Sequence, residues 1–333
     1  MAVVRIGING FGRIGMIASK IIGKMDDIEL VAVNATMTPQ MLEYLVKYDS
    51  VHGGYDAKLI DDTTIRIGKH TVKICNDRDP ANLPFADLGV DLVLECTGQI
   101  LTTQKAQVHI DKGIKKVVFS APAKDDTPTY VMGVNSSEYK GEKIISNASC
   151  TTNALAPLVK VIHDAYGIQK GTMTTVHSYT NDQNILDVKH TSDPRRARAA
   201  AVNIIPTSTG AAKAIGLVMP ELKGKLNGFS LRVPTPDVSI VDLNVLLDKN
   251  VTKEDVNELF LAASKGDFRG LIGYDNDKRV SSDFIGSTDS TVFIPDVTHV
   301  VDKNMLKVVG WYDNEWGYTS RLVDMAKFIG SKE

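Results

Sequence analysis

The sequence predicts an α/β chain of two domains, a doubly wound parallel sheet followed by an α+β domain whose sheet is mostly antiparallel. Three observations predict it. A chain of 333 residues with 43% hydrophobic and 23% charged residues is long for one domain and comfortable for two. The short strand patterns of the first 150 residues are apolar without interruption, as strands covered on both faces are. Beyond Ala154 the strand patterns lengthen and alternate, which suits a sheet with one face on a core and the other toward solvent.

In chain order, residues 3–8 read as a short buried strand, and 13–24 as a helix with Ile14, Ile17, Ala18, Ile21 and Ile22 at helical spacing. Apolar runs at 29–33, 91–96 and 116–119 continue the parallel pattern. The pattern changes near Cys150, so the expected domains are residues 1–149 and 150–315. In the second, 173–176, 238–247 and 306–312 read as strands, and Thr252 before Glu254 and Asp255 reads as a helix N-cap. Residues 318–329 form a terminal amphipathic helix.

Charge and cysteine usage exclude several function classes. The 38 basic and 40 acidic residues are interspersed and give a net charge of −2, so no whole-protein field favours nucleic acid or an anionic membrane. An anionic ligand must be held by local groups. Cys75, Cys96 and Cys150 are too few and too scattered for a disulfide framework or a CxxC metal site, which predicts a reducing compartment and no structural metal. No leader pattern opens the chain and no run approaches the ~20 apolar residues of a membrane span, so the cytoplasm is expected.

Gly10-Phe11-Gly12-Arg13-Ile14-Gly15 fits GxGxxG and falls between a strand and a helix, the context that motif needs. The first glycine permits a tight turn, the second lets backbone approach a pyrophosphate, and the third lets the helix pack closely. The helix start favours the anion. A dinucleotide on a Rossmann-type fold is therefore predicted. The acidic residue that normally bonds the adenosine ribose about 20 residues later is missing, because the second strand ends Val33-Asn34-Ala35-Thr36. Nothing there would exclude a 2′-phosphate, although Asn34 alone would serve a ribose and keep NAD bound.

Ser149-Cys150-Thr151-Thr152-Asn153 precedes a long apolar-periodic segment, which places Cys150 at a helix start. Such a thiol, beside a histidine, has a lowered pKa and is a competent nucleophile. Cys96, within its apolar run, and Cys75 read as small buried residues instead. His177 closes an apolar strand and meets the polar stretch Ser178-Tyr179-Thr180-Asn181-Asp182, so it projects where a strand becomes a loop.

These blocks, with Thr207-Ser208-Thr209-Gly210-Ala211-Ala212-Lys213 and Trp311-Tyr312-Asp313-Asn314-Glu315, resemble the glyceraldehyde-3-phosphate dehydrogenase family, in order and over nearly the whole chain. The resemblance implies oxidation of D-glyceraldehyde 3-phosphate with inorganic phosphate, in glycolysis or, reversed, in gluconeogenesis. Cys150 would add to the aldehyde and His177 would move the proton. It implies one phosphate near Thr180 and Arg232, and the attacking phosphate near Ser149, Thr151, Arg196, Thr209 and Gly210. For the cofactor it implies Arg13 and Ile14 at the pyrophosphate, Arg78, Thr97, Gly98 and Ser120 along the cleft, and Asn314 on the nicotinamide carboxamide. It further implies a homotetramer, and a terminal helix, residues 316–333, completing the first domain.

Two departures from the family pattern bear on the cofactor. Ala35 stands where the family usually has aspartate, and the loop after His177 reads Asp187-Val188-Lys189, where the family usually has Asp-Leu-Pro. Both remove obstacles to a 2′-phosphate or add attraction for one, so NADP and NAD are both expected, with NADP favoured and Thr36, the Asn34 amide, Arg78 and Lys189 as donors. Two alternatives are the non-phosphorylating relative erythrose-4-phosphate dehydrogenase and a strictly NAD-dependent glycolytic enzyme. A catalytically idle dinucleotide- or RNA-binding protein fits poorly with Cys150, His177, Arg196 and Arg232 kept together.

Overall fold

The computed structural model describes residues 3–332. Residues 1, 2 and 333, which fall inside the expected domain limits, lie outside the described residues. The chain forms two compact units. One takes in the chain up to Met132, Ser136–Ser149 and the chain from Thr319 onward; the other is Gly133–Asn135 and Cys150–Tyr318.

The first unit is built on eight strands: β1 (Val4–Asn9), β2 (Ile28–Asn34), β3 (Ala57–Asp61), β4 (Thr64–Ile67), β5 (His70–Cys75), β6 (Leu92–Glu95), β7 (Lys116–Phe119) and β8 (Ile144–Ser146). Their spatial order is β3-β4-β5-β2-β1-β6-β7-β8. From β5 to β8 every pairing is parallel. Unbroken apolarity has a direct cause here, since alternate residues of each strand feed different cores. Ile6, Ile8, Leu30, Leu92, Leu94 and Val118 belong to one apolar cluster. Val31, Val93, Val117 and Phe119 belong to the other. Helices α1 (Arg13–Ile22), α2 (Pro39–Lys47) and α3 (Thr103–Asp111) complete the winding.

The antiparallel edge formed by β3, β4 and β5 is absent from the sequence reading. Its strands are short and partly exposed, so they carry little of the apolar signal that marks the buried ones.

Strand order reverses between β1 and β6, and ligands of doubly wound sheets bind outside the strand ends at such a point. The β1–α1 turn there depends on its glycines. Gly10 has φ +94, and a Cβ on it would lie 2.6 Å from Thr97 N. A Cβ on Gly15 would lie 2.1 Å from the Gly10 carbonyl oxygen, so no side chain fits where α1 packs against the turn.

The second unit opens with helix α4 (Cys150–Tyr166), whose residues Thr151 to Val159 are all buried. At Gly167 the backbone takes φ +71 and turns into β9 (Ile168–Ser178). The sheet continues with β10 (Ile205–Ser208), helix α5 (Ala211–Val218), β11 (Leu226–Val233), β12 (Ser239–Leu247), helix α6 (Lys253–Lys265), β13 (Ile272–Tyr274), β14 (Thr291–Phe293), β15 (His299–Val301) and β16 (Met305–Tyr312). Its order is β10-β11-β9-β12-β16-β14-β13, with β15 on β16. Only β11–β9 and β13–β14 pair in parallel, so this sheet is mostly antiparallel. In β12 the buried residues Ser239, Val241, Leu243, Val245 and Leu247 alternate with half-buried ones, the two-faced pattern of such a sheet.

Thr252 caps α6 as the sequence predicts, its hydroxyl accepting from Asp255 N–H while the Asp255 carboxylate accepts from Thr252 N–H. Helix α7 (Trp316–Gly330) ends the described chain, and its Leu322, Val323, Met325, Ala326 and Ile329 join the apolar cluster of Ile6 and Ile8 in the first unit. Among the described residues no helix is long and apolar enough to cross a membrane.

Candidate active site

In the first unit, a cavity of about 780 Å³ lies at the strand ends beside the switch point, lined by Gly10, Phe11 and Gly12 after β1, Asn34 at the end of β2 and Thr36 beyond it, Arg78 after β5, and Thr97 after β6. A Cβ on Gly12 would meet no atom within 4 Å, so that glycine leaves its open face to a ligand. No side chain caps the start of α1, whose first N–H groups are thus the donors a pyrophosphate needs. Pro80, Ile100 and Val108 add apolar walls suited to a planar base, and Lys105 adds a cation. None of these four was singled out from the sequence. The set fits a dinucleotide.

A buried network fixes the cavity floor. The Asn34 amide donates to Asn9 Oδ1 at 2.8 Å and to the Asp77 carbonyl at 2.7 Å, while its oxygen accepts from Asp77 N–H at 3.0 Å. Asn9 in turn donates to Glu95 at 2.7 Å. Glu95 Oε1 takes the Thr97 N–H and hydroxyl, and His109 Nε2 lies 3.3 Å from Oε2, the oxygen that Asn9 meets. Glu95 is fully buried, and each of its oxygens is engaged, as a buried carboxylate requires.

Several expected cofactor contacts need correction. Asn34 has spent both amide protons and its oxygen, so it is no donor for a 2′-phosphate. Ala35 is only 3% exposed and packs into the apolar cluster, because the β2 strand end turns Asn34 and Thr36 to the cavity and the residue between them to the core. Arg13 places its guanidinium 3.0 Å from Asp49, which also holds Lys20, and Ile14 packs on the apolar cluster. What those two residues bring to a pyrophosphate is backbone. Gly98 follows Thr97 of the cavity wall, and Ser120 follows β7. Lys189 and Asn314 belong to the second unit.

In the second unit Cys150 is the first residue of α4, two residues after Ala148, whose φ of 57 is left-handed. Its Sγ lies 3.5 Å from His177 Nε2. His177 is 3% exposed, next to last in β9, and in register with Arg232 on β11. His177 Nδ1 is 2.8 Å from the Ser178 carbonyl oxygen, and one Arg232 nitrogen lies 2.8 Å from that Nδ1 and 3.0 Å from the same carbonyl. Arginine can only donate, so its contact with Nδ1 is a hydrogen bond when Nδ1 is bare, whereas the Ser178 carbonyl takes the tautomer with Nδ1–H. That tautomer leaves the Nε2 lone pair facing the thiol.

Burial, then the Arg232 cation, pulls the imidazole down to about 3. The thiol departs from the sequence reading. Burial pushes Cys150 up, against the downward pull of Arg232, the Thr151 hydroxyl and the first N–H groups of α4. The resting pair is therefore neutral, and the base acts as the thiol attacks. Cys96, raised to about 12, and Cys75, also raised by burial, have no imidazole partner.

Two of the residues expected to hold anions, Arg232 and Arg196, lie in this neighbourhood. Burial lowers Arg232 from its ordinary range, with Cys150 and Asp182 opposing and Arg196 reinforcing, so the thiol and both guanidinium groups share one electrostatic neighbourhood. Arg196 donates to Thr207 Oγ1 at 2.7 Å and to Asp182 at 2.5 Å, and its remaining nitrogen is only 3.4 Å from the Ser208 carbonyl. Of the three nitrogens it has the longest contact. Thr209 and Gly210 stand at the uncapped start of α5, and the Thr209 hydroxyl accepts from Ala211 N–H while keeping its own proton to donate. Ser149 precedes α4 and Thr180 follows β9 by two residues. Asn314 Oδ1 accepts from the Ser178 and Ser239 hydroxyls at 2.8 and 2.6 Å. With Asn314 Oδ1 on these two hydroxyls, its NH₂ lies on the other side of the amide.

Asp182, Thr207, Ser178, Ser239 and Tyr312 were not singled out from the sequence, although all but Ser239 lie inside the motif blocks. Only the β9 period would have flagged one further neighbour, since Thr175 shares a face with His177.

Comparison with known proteins follows this geometry. Residues 4–103 match the description "Glyceraldehyde 3-phosphate dehydrogenase, NAD binding domain", and 149–314 match "Glyceraldehyde 3-phosphate dehydrogenase, C-terminal domain". The glyceraldehyde-3-phosphate dehydrogenases of Priestia megaterium and Geobacillus stearothermophilus are each 52% identical over 332 residues, covering 99% of both chains. Glyceraldehyde-3-phosphate dehydrogenase 2 of Synechocystis is 51% identical over 331 residues, covering 98% of each.

The pair predicts a specific loss. His177→Asn keeps the fold but lowers turnover by roughly 10²–10⁴, the usual contribution of an acid–base group. Cys150→Ser abolishes activity, whereas Cys75→Ser and Cys96→Ser keep it; steady-state rates with thermal melts of the four variants are the check.

Proposed function

Because the chain belongs to the glyceraldehyde-3-phosphate dehydrogenase family and is an NAD(P)-dependent oxidoreductase, we propose that it oxidises D-glyceraldehyde 3-phosphate with inorganic phosphate to 1,3-bisphosphoglycerate. The observation that carries this reading is the 3.5 Å contact of Cys150 with His177, at a helix start and within reach of two arginines. Cys150 Sγ bonds to the aldehyde carbon as Nε2 takes the thiol proton, giving a hemithioacetal. The Ser178 carbonyl stabilises the imidazolium through Nδ1–H. When bound, the nicotinamide supplies the hydride acceptor, and the Asn314 NH₂ is the group that would orient it.

Nε2 returns the thiol proton to the carbonyl oxygen to complete the hemithioacetal; the hydroxyl proton then passes back to Nε2 as the carbinol hydride leaves to the bound acceptor, and a thioester remains on Cys150. A phosphate oxygen then attacks the acyl carbon and the thiolate leaves, protonated again from Nε2. Arg232 and Thr180 would hold the substrate's own phosphate. Arg196, Ser149, Thr151, Thr209 and Gly210 would hold the attacking one, guanidinium forks and short hydroxyl donors suiting both. Following the family, the working form is a homotetramer in the cytoplasm.

For the cofactor, the reading is acceptance of both NADP and NAD with NADP preferred. No carboxylate ends β2, and Thr36, Arg78 and Lys105 line the cavity, while Asp77 and Asp79 on the same wall oppose an added phosphate. Lys189, from a neighbouring subunit, is the further candidate.

Two assays test these statements. Formation of NADPH or NADH from D-glyceraldehyde 3-phosphate is expected to need inorganic phosphate for sustained turnover, and sustained turnover without phosphate points to the non-phosphorylating relative. For cofactor choice, kcat/KM is compared at fixed ionic strength. Arg78→Leu is one informative variant, and Ala35→Asp, which restores the carboxylate usual in the family, is the other. Losing a charge-assisted bond of about 1.5–3 kcal/mol lowers NADP use roughly ten- to a hundredfold and spares NAD, and salt erodes the wild-type preference. A wild-type enzyme that strongly prefers NAD contradicts the reading.

A further inference from the structure

We infer that Tyr312 is a positioning residue for the acyl-acceptor phosphate, the head of a buried hydroxyl relay that aims the Thr151 proton. The inference rests on the phosphorylating reading above. Tyr312 ends β16 at 2% exposure, and its phenol oxygen lies 2.9 Å from Thr151 Oγ1 and 2.8 Å from Thr175 Oγ1. Three hydroxyls meet in a row, and each has one proton to give. Burial holds the phenol above its ordinary range, so Tyr312 keeps its proton.

The row has two possible directions, and they differ in consequence. If Thr175 donates to Tyr312 and Tyr312 to Thr151, the Thr151 proton is left to donate outward, next to the thiol that lies 4.0 Å from its oxygen. In the reverse direction Thr151 spends its proton on Tyr312 and offers only lone pairs, which an anion repels. Thr175 is fully buried on β9 and Thr151 is the second residue of α4, so relay geometry is set by the same helix and strand that set the thiol–imidazole pair. The Tyr312 ring also stands edge-to-face with His177, centroids 6.0 Å apart at 84°. Ring and hydroxyl thus have separable tasks, the ring beside the base and the hydroxyl on the phosphate donor. A relay among buried hydroxyls is held more rigidly than a single solvated one, which matters for a donor that must meet phosphate only after the thioester has formed.

The test is Tyr312→Phe, which deletes the hydroxyl and keeps the ring, with Thr175→Val as the second variant. Two quantities are read: KM for inorganic phosphate in steady state, and the rate of the reduced-cofactor burst in a single turnover without phosphate. Tyr312→Phe is expected to raise the phosphate KM about three- to tenfold, the size of one neutral hydrogen bond, with the burst rate within about twofold of wild type. Thr175→Val is expected to raise the same KM by less, since Tyr312 still donates. An unchanged or lowered phosphate KM in Tyr312→Phe overturns the inference, because it means the relay runs the other way or aims nothing. Equal loss in burst and phosphate KM overturns it too, as a general packing defect would give that. A wild-type enzyme whose turnover ignores phosphate fails at the earlier reading, and is recognised as such before either variant is measured.

Discussion

One constraint organises the second unit: the first residue of α4 and a residue near the end of β9 must arrive at the same place. Helix and strand are joined by a single left-handed glycine, Gly167, whose added Cβ would lie 2.2 Å from the Asp248 carboxylate. The chain therefore reverses there. A helix of 17 residues rises roughly 25 Å and a strand of 11 runs roughly 35 Å, lengths similar enough for Cys150 and His177 to meet. Parallel pairing of β9 with β11 then brings Arg232 beside His177, and antiparallel pairing along β9–β12–β16 brings Tyr312 within reach of Thr175. The chemistry is a consequence of register.

Electrostatics at the site reflect the same packing. Burial favours the neutral thiol and the neutral imidazole, whereas the guanidinium of Arg232 and the start of α4 favour the thiolate. The balance suits a nucleophile whose proton moves during attack, since charge that exists only then is stabilised by dipoles already in place. The arginines are not loose surface cations. Arg196 is bound to Asp182 and Thr207 and Arg232 to the Ser178 carbonyl, so both guanidinium groups are fixed in position.

Much of this was legible in the sequence, and the reasons differ by element. The glycines from Gly10 to Gly15 were readable because a backbone turn at a helix start tolerates few other residues, and buried strands because both their faces are apolar. Cys150 was readable because a polar stretch before a helical apolar pattern marks a helix start. The antiparallel edge from β3 to β5 was not, since its strands are short and half-exposed. The burial of Ala35 was not legible, because at a strand end a one-residue difference exchanges cavity for core. Partners separated by many residues, such as Tyr312 with Thr151 or Asn314 with Ser239, leave no local signal. They come from sheet register, which no single segment encodes.

The central claim is that Cys150 carries the substrate's acyl group between oxidation and phosphate attack. The most direct measurement mixes enzyme, oxidised cofactor and D-glyceraldehyde 3-phosphate without phosphate, quenches in acid, and maps the adduct by peptide mass spectrometry. The account predicts a 3-phosphoglyceroyl thioester confined to the peptide bearing Cys150, discharged within one turnover time when inorganic phosphate is added before the quench. An adduct on Cys75 or Cys96, or reduced cofactor formed with no adduct on any cysteine, would contradict it.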